Sequence, residues 1–216
     1  MRALIKVATP QDVLANVQEY ISNKKDIALI TKAMDFVVEK HDGQMRKSGD
    51  PYVSHLFSVG AILAQLRASP ITVTSGILHD VIEDTDTSKA EVEKEFSKDI
   101  ATIVESVSKI GNIQFKDEKE YLAENHRKIF IAMAKDIRVI LVKLVDRLHN
   151  MRTLEFQPPE KQKKIARETV EVYAPIAHRL GISEIKNELE DLSFLYLHPE
   201  NYYEIAQLVE MRKAER

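Results

Sequence analysis

Between Ile77 and Asp84 the chain reads Ile77-Leu78-His79-Asp80-Val81-Ile82-Glu83-Asp84, one imidazole and three carboxylates within a single short stretch. Read as a helix at 100° per residue, His79, Glu83, Asp80 and Asp84 fall at about 0°, 40°, 100° and 140°, while Ile77, Val81, Leu78 and Ile82 take the other side. One face is core and the other is acid and imidazole. Most charge clusters on helices are solvated faces. Such faces mix in Lys or Arg, however, and here the like charges crowd together, which costs energy unless a cation is bound. The chemistry this pattern suits is metal binding.

His55 and Asp146 are further candidates. His55 shares an apolar stripe with Val59, Ile62 and Leu66, where, taken alone, it reads as a satisfied core histidine. Asp146 stands among Ile137, Val139, Ile140, Leu141, Val142, Leu144, Val145 and Leu148, which wrap nearly the whole circumference of its helix. A carboxylate there is buried and needs a partner. Lys143 or Arg147 could provide a structural salt bridge, yet Lys143, Asp146, Arg147 and Asn150 also lie within about 100° of one another and form the strip a pocket wall would need. Two histidines and two aspartates make four protein ligands with room for water, a donor set that suits Mn, Fe or Zn and suits Mg less well. His126, His149, His178 and His198 read as structural or surface histidines, and Arg212 to Arg216 as a solvated helix end.

Composition narrows the classes. With 216 residues, the chain is long enough for one globular domain. Lys+Arg 31 against Asp+Glu 34 leaves a net charge of -3, so no basic field supports non-specific nucleic-acid binding. The absence of cysteine excludes disulfides, thiolate zinc sites, iron–sulfur clusters and a cysteine nucleophile. Charge interrupts every apolar run short of the ~20 residues a membrane span needs. Met1-Arg2-Ala3-Leu4-Ile5-Lys6 lacks an apolar signal core. The expectation is a soluble, cytoplasmic protein that binds neither nucleic acid nor membrane.

Sparse Gly and Pro and an apolar spacing near 3.6 predict an all-α bundle of about ten helices. The helices are expected at 10–21, 27–40, 51–66 (with Asp50 as N-cap and Pro51 in the first turn), 73–84, 88–106 with a bend near Ser97, 119–135, 137–151, 160–174, 175–180, 183–195 and 200–213. Gly111–Asp117 reads as a loop. Residues 1–196 are expected to form the catalytic domain, and 197–216 a C-terminal helix.

The order His, His-Asp, Asp on separate helices resembles HD-type metal-dependent phosphohydrolases. The flanking blocks narrow the likeness: Arg46-Lys47-Ser48-Gly49-Asp50-Pro51-Tyr52, His79 to Thr85, Ala123-Glu124-Asn125-His126-Arg127-Lys128, Lys143 to Thr153, and Tyr173-Ala174-Pro175-Ile176-Ala177-His178-Arg179-Leu180-Gly181. From about residue 27 onward the chain is similar to the N-terminal hydrolase domain of long RelA/SpoT-homologue (Rel) proteins.

That resemblance implies a guanosine-3′,5′-bis(diphosphate) 3′-pyrophosphohydrolase. It would use Mn2+ to convert (p)ppGpp to GDP or GTP plus pyrophosphate and so end the stringent response. It places metal ligands on His55, His79, Asp80 and Asp146, and groups serving the chemical step on Glu83 and Asp84. Guanine contacts fall on Arg46, Lys47 and Ser48, and ribose and phosphate contacts on Asn150 and Thr153. Because the His-Asp and Glu-Asp pairs are both kept, it implies an active hydrolase, with a synthetase domain as its neighbour in the full-length protein. The sequence departs from the family in reading His55-Leu56 where His-Pro is usual, which is expected to loosen the helix at that ligand. The Gly111–Lys116 loop is also less basic than the family's. Alternative readings are an HD-type phosphohydrolase for another nucleotide and a catalytically quiet alarmone-binding module.

Overall fold

Thr9 and Asp12 cap each other at the start of the first helix: the Asp12 amide donates to the Thr9 hydroxyl and the Thr9 amide to the Asp12 carboxylate. The computed structural model describes residues 7–111, 131 and 135–214. Among these, every regular element is helical, apart from one isolated antiparallel bridge between Met45 and Pro51. The all-α expectation holds. The helix expected at 119–135, apart from residues 131 and 135, most of the 111–117 loop and the Ala123–Lys128 block lie outside the described residues, and Gly111 closes a helix.

The chain forms two compact units, residues 1–149 and 150–216. The first contains α1 (Pro10–Gln18), α2 (Lys24–Lys40), α3 (Val53–Gln65), α4 (Pro70–Ile77), α5 (Val81–Asp84), α6 (Lys89–Glu95), α7 (Lys98–Gly111) and most of α8 (Ile137–Arg152). At its centre is α3, which packs on α1, α2 and α4. Every residue from Ser54 to Ala64 is buried, so α3 has no solvent face, and the single stripe expected for it is replaced by burial all round. Gly60 and Gly76 let α3 and α4 approach closely: a Cβ on Gly60 would lie 2.7 Å from Ile77 Cγ1, and one on Gly76 would collide with Leu63. Arg138 at the start of α8 grips Asp136 beside it and Asp99 on α7.

Several expected boundaries shift in this unit, three of them for an identifiable local reason. Helix α3 begins at Val53, because Pro51 is held in the bridge to Met45 and Asp50 accepts from the Ser48 hydroxyl at 2.7 Å instead of capping. The expected bend at Ser97 is a break, with the Ser97 hydroxyl accepting from the Ile100 amide to start α7 afresh. The helix expected at 73–84 is two helices separated by Leu78, His79 and Asp80. Leu56, in place of the family's proline, continues α3 without interruption and is fully buried, so the expected loosening is not seen.

The second unit contains a 3-10 turn (Leu154–Phe156), α9 (Pro159–Glu168), a π turn (Thr169–Tyr173), α10 (Ala174–Arg179), α11 (Ser183–Leu197) and α12 (Pro199–Ala214). A stop before Pro175 is expected from the sequence, yet the chain stays helical through it. Proline cannot donate, and its ring crowds the carbonyl four residues back. The π turn, in which the Ala174 amide reaches the Thr169 carbonyl, opens the spiral where that clash would fall. Gly181, at φ +72, ends α10 with its amide on the His178 carbonyl and the Ile182 amide on the Ala177 carbonyl. Arg152 holds Glu188 of α11 through two hydrogen bonds.

Candidate metal centre

The break at Leu78–Asp80 comes from His79 itself. In a continuous helix the Gly76 carbonyl would accept from the Asp80 amide. Here it lies 2.7 Å from His79 Nδ1, which donates to it. The wheel drawn from the sequence therefore does not apply, and His79 and Asp80 occupy a turn that opens into α5. With Nδ1 committed to that carbonyl, Nε2 of His79 is the nitrogen left for either a proton or a metal. That atom is buried without a hydrogen bond, although Asp80 Oδ2 lies 3.1 Å away.

Four sequence-predicted residues meet at this nitrogen. His55 Nε2 is 3.3 Å from Asp146 Oδ1 and 3.7 Å from Asp80 Oδ2, and His79 Nε2 is 3.7 Å from Asp146 Oδ1. The ligand atoms of His55, His79 and Asp80 all lie within 4.8 Å of one another, a grouping that could hold a metal ion. Asp146 satisfies both of its sequence readings, one per oxygen. Its Oδ2 accepts from Lys143 Nζ at 3.0 Å as the structural salt bridge, and its Oδ1 faces the two imidazoles.

The electrostatics divide the two imidazoles. Burial works against the charged form of His79, but the carboxylates of Asp80 and Asp146 outweigh it and raise the ring to about 10. Burial dominates at His55 and keeps it neutral, with Asp146 only partly offsetting it. Burial would also raise both carboxylic acids. The His79 charge instead holds Asp80 well below the carboxylate range, and Lys143 with the two histidines does the same for Asp146. Two carboxylate oxygens converge on two ring nitrogens in a buried pocket, and His79 Nε2 has no hydrogen-bond partner there. A divalent cation fits both features.

Glu83 and Asp84 follow on α5. Partial burial raises the pKa of Glu83, making it a weaker acid, and Asp80 adds to the effect. Tyr52, just before α3, has its hydroxyl 2.7 Å from Oδ2 of both Asp80 and Asp84. Its single proton serves two carboxylates. The Arg46 guanidinium is half-buried, with Nη1 3.5 Å from His149 Nδ1. Lys47 is exposed, and Ser48 is turned towards Asp50. Asn150 and Thr153 belong to the second unit, where the Thr153 hydroxyl lies 3.4 Å from the Asn150 carbonyl.

Sequence reasoning missed three residues here. His149, grouped above with the structural or surface histidines, is buried with its Nδ1 2.8 Å from His55 Nδ1. The available signal was its spacing of three from Asp146, which places it one turn along the same helix. Tyr52, with the same spacing from His55, and His41, stacked on Tyr52 with ring centroids 5.0 Å apart, were not singled out.

A family model described as an HD domain matches residues 33–183. Over 188 residues the chain is 50% identical to a probable guanosine-3′,5′-bis(diphosphate) 3′-pyrophosphohydrolase of Synechocystis sp., a match covering 87% of this chain and 25% of the relative. It is 49% identical over 178 residues to the bifunctional (p)ppGpp synthase/hydrolase SpoT of Escherichia coli K12, covering 82% of this chain and 25% of that protein. A solved structure described as a metazoan ortholog of SpoT that hydrolyzes ppGpp superimposes with a TM-score of 0.62 at 26% identity, covering 76% of this chain and 93% of that one. The chain thus spans about a quarter of the length of these two curated relatives.

Proposed function

The chain belongs to the HD domain family, and from that premise we propose that it hydrolyses the 3′-pyrophosphate of (p)ppGpp with a bound Mn2+, giving GDP or GTP and pyrophosphate. The observation that carries this reading is the convergence of His55, His79, Asp80 and Asp146 in a chain about half identical to proteins named for that reaction. On the same reading the protein is cytoplasmic, and a synthetase domain adjoins this one in the full-length protein.

His55 and His79 through Nε2, and Asp80 and Asp146 through their facing oxygens, would hold the cation. Bound there, it would lower the pKa of a water towards ~7 and so supply a nucleophile at neutral pH. The remaining work falls to the protein. The bond broken joins the ribose 3′ oxygen to phosphorus: the water oxygen ends on the released pyrophosphate and a proton ends on the 3′ oxygen. Glu83, whose proton affinity is raised, receives a proton from the water. Tyr52 fixes Asp84 beside Asp80, where Asp84 orients the same water. The flat guanidinium of Arg46 suits the face of a purine, with Lys47 and Ser48 at its polar edge and Asn150 and Thr153 serving ribose and phosphate.

The test is incubation of the purified protein with ppGpp, with and without Mn2+, while measuring pyrophosphate. Release that depends on Mn2+ is expected. Tight ppGpp binding without release would favour the alarmone-binding module, and turnover of other nucleotides in preference to ppGpp would favour a different HD-type phosphohydrolase.

A further inference from the structure

The two imidazoles of the centre are anchored differently. His79 gives its Nδ1 proton to a main-chain carbonyl, a partner that can only accept. His55 meets another imidazole: its Nδ1 lies 2.8 Å from Nδ1 of His149, with ring centroids 4.8 Å apart and the planes tilted by 45°. Both rings are buried.

A neutral imidazole has one N–H and one lone pair. Two ring nitrogens this close form a hydrogen bond only when one is protonated and the other is not. Either assignment fits the distance, but each has a different consequence at the centre. If His149 donates, the His55 proton sits on Nε2, pointing at Asp146 Oδ1, and His55 cannot ligate. If His149 accepts, the proton sits on His55 Nδ1 and Nε2 presents its lone pair beside Nε2 of His79. Arg46 Nη1 approaches the same His149 nitrogen at 3.5 Å, and a guanidinium can only donate. That nitrogen has one lone pair, which the 2.8 Å His55 contact takes. At 3.5 Å Arg46 therefore acts through its positive charge, which disfavours a proton on His149 Nδ1 and favours the accepting assignment.

We infer that His149 is a positioning residue for His55: its Nδ1 accepts the His55 proton, fixing the tautomer and ring orientation in which His55 Nε2 can bind a cation. Partners of this kind hold the second nitrogen of most metal-bound histidines. The inference rests on the metal binding proposed above, and its test reads the metal without substrate.

Mn2+ titrations followed by electron paramagnetic resonance should show His149→Leu binding about 10- to 100-fold more weakly than wild type. His149→Asn, which restores an acceptor, should recover most of that loss. In the Zn2+-loaded wild type, nitrogen NMR should place the His55 proton on Nδ1. Unchanged Mn2+ affinity in a folded His149→Leu variant, or a His55 proton on Nε2 in the loaded protein, overturns the inference. If His149→Leu does not fold, the wild-type NMR decides alone. Wild type that binds Mn2+ but releases no pyrophosphate from ppGpp would sink only the proposed reaction, whereas wild type that binds no cation would sink both.

Discussion

Nδ1 of His79 sits 2.7 Å from the carbonyl oxygen of Gly76, the acceptor that an unbroken helix would have given to the amide of Asp80. The side chain displaces its own helix's hydrogen bond, and the chain turns just where two adjacent residues must both face the same point. His79→Ala therefore removes a ligand and a helix stop together, whereas Asp146→Ala removes a ligand from an intact helix. Both variants should lose bound Mn2+ and pyrophosphate release, as read by metal analysis after gel filtration and by product assay. Full activity of the wild type after exhaustive chelation would show that no metal is needed.

Glu83→Gln and Asp84→Asn should keep Mn2+ and ppGpp affinity while kcat falls ~10²-fold or more, the loss expected when a group handling protons in the transition state is removed. Substrate titrations beside single-turnover rates separate the two effects. Normal turnover with weakened binding would reassign these residues to recognition.

The metal-free protein should become less stable as pH rises from about 7 towards 10. His79 is raised in the folded state to about 10 from 6.5, so the stability its proton contributes is complete below the unfolded value and is lost as pH climbs through the folded one. His55, whose ring is lowered, opposes this only near and below its ordinary value. Calorimetric melting temperatures across that range should fall in wild type and fall less in His79→Gln. Parallel slopes would place the titration elsewhere.

Gly60→Ala should destabilise the first unit by up to about 2 kcal/mol. Its new methyl group would meet Ile77 at 2.7 Å, an overpacking cost of ~1–3 kcal/mol that the helix propensity of alanine, worth ~1 kcal/mol, offsets only in part. Urea unfolding gives the number, and an unchanged midpoint would show that α4 yields without cost. Because α3 carries His55 and α4 leads into His79, the same variant should also bind Mn2+ more weakly.

The legible parts of the molecule were those governed by local pattern. Apolar periodicity located α2, α7 with α6, and α8. The burial of Asp146 was readable because almost everything around it on its helix is aliphatic. What stayed hidden depended on partners distant in sequence or on competition for one hydrogen bond. Nothing local marks Pro51 as bridged to Met45, or tells His79 to take the Gly76 carbonyl. The centre's four main residues are legible from type, order and resemblance, none of which requires His79 and Asp80 to lie on one helix. His149 stays hidden because same-helix spacing does not reveal its partner, His55, which comes from another helix.

The donors of the centre come from positions 55, 79, 80 and 146. A cation held by all of them closes a loop from His55 to Asp146 that includes most of the first unit's later helices. Pinning residues so far apart in sequence restricts the unfolded chain as a covalent cross-link would, and a ligand that binds only the folded form adds stability that grows with its concentration. In a chain without a single cysteine, an ion at this centre would also be the cross-link of its fold, so starving the protein of metal would cost it lifetime as well as any turnover that depends on the ion.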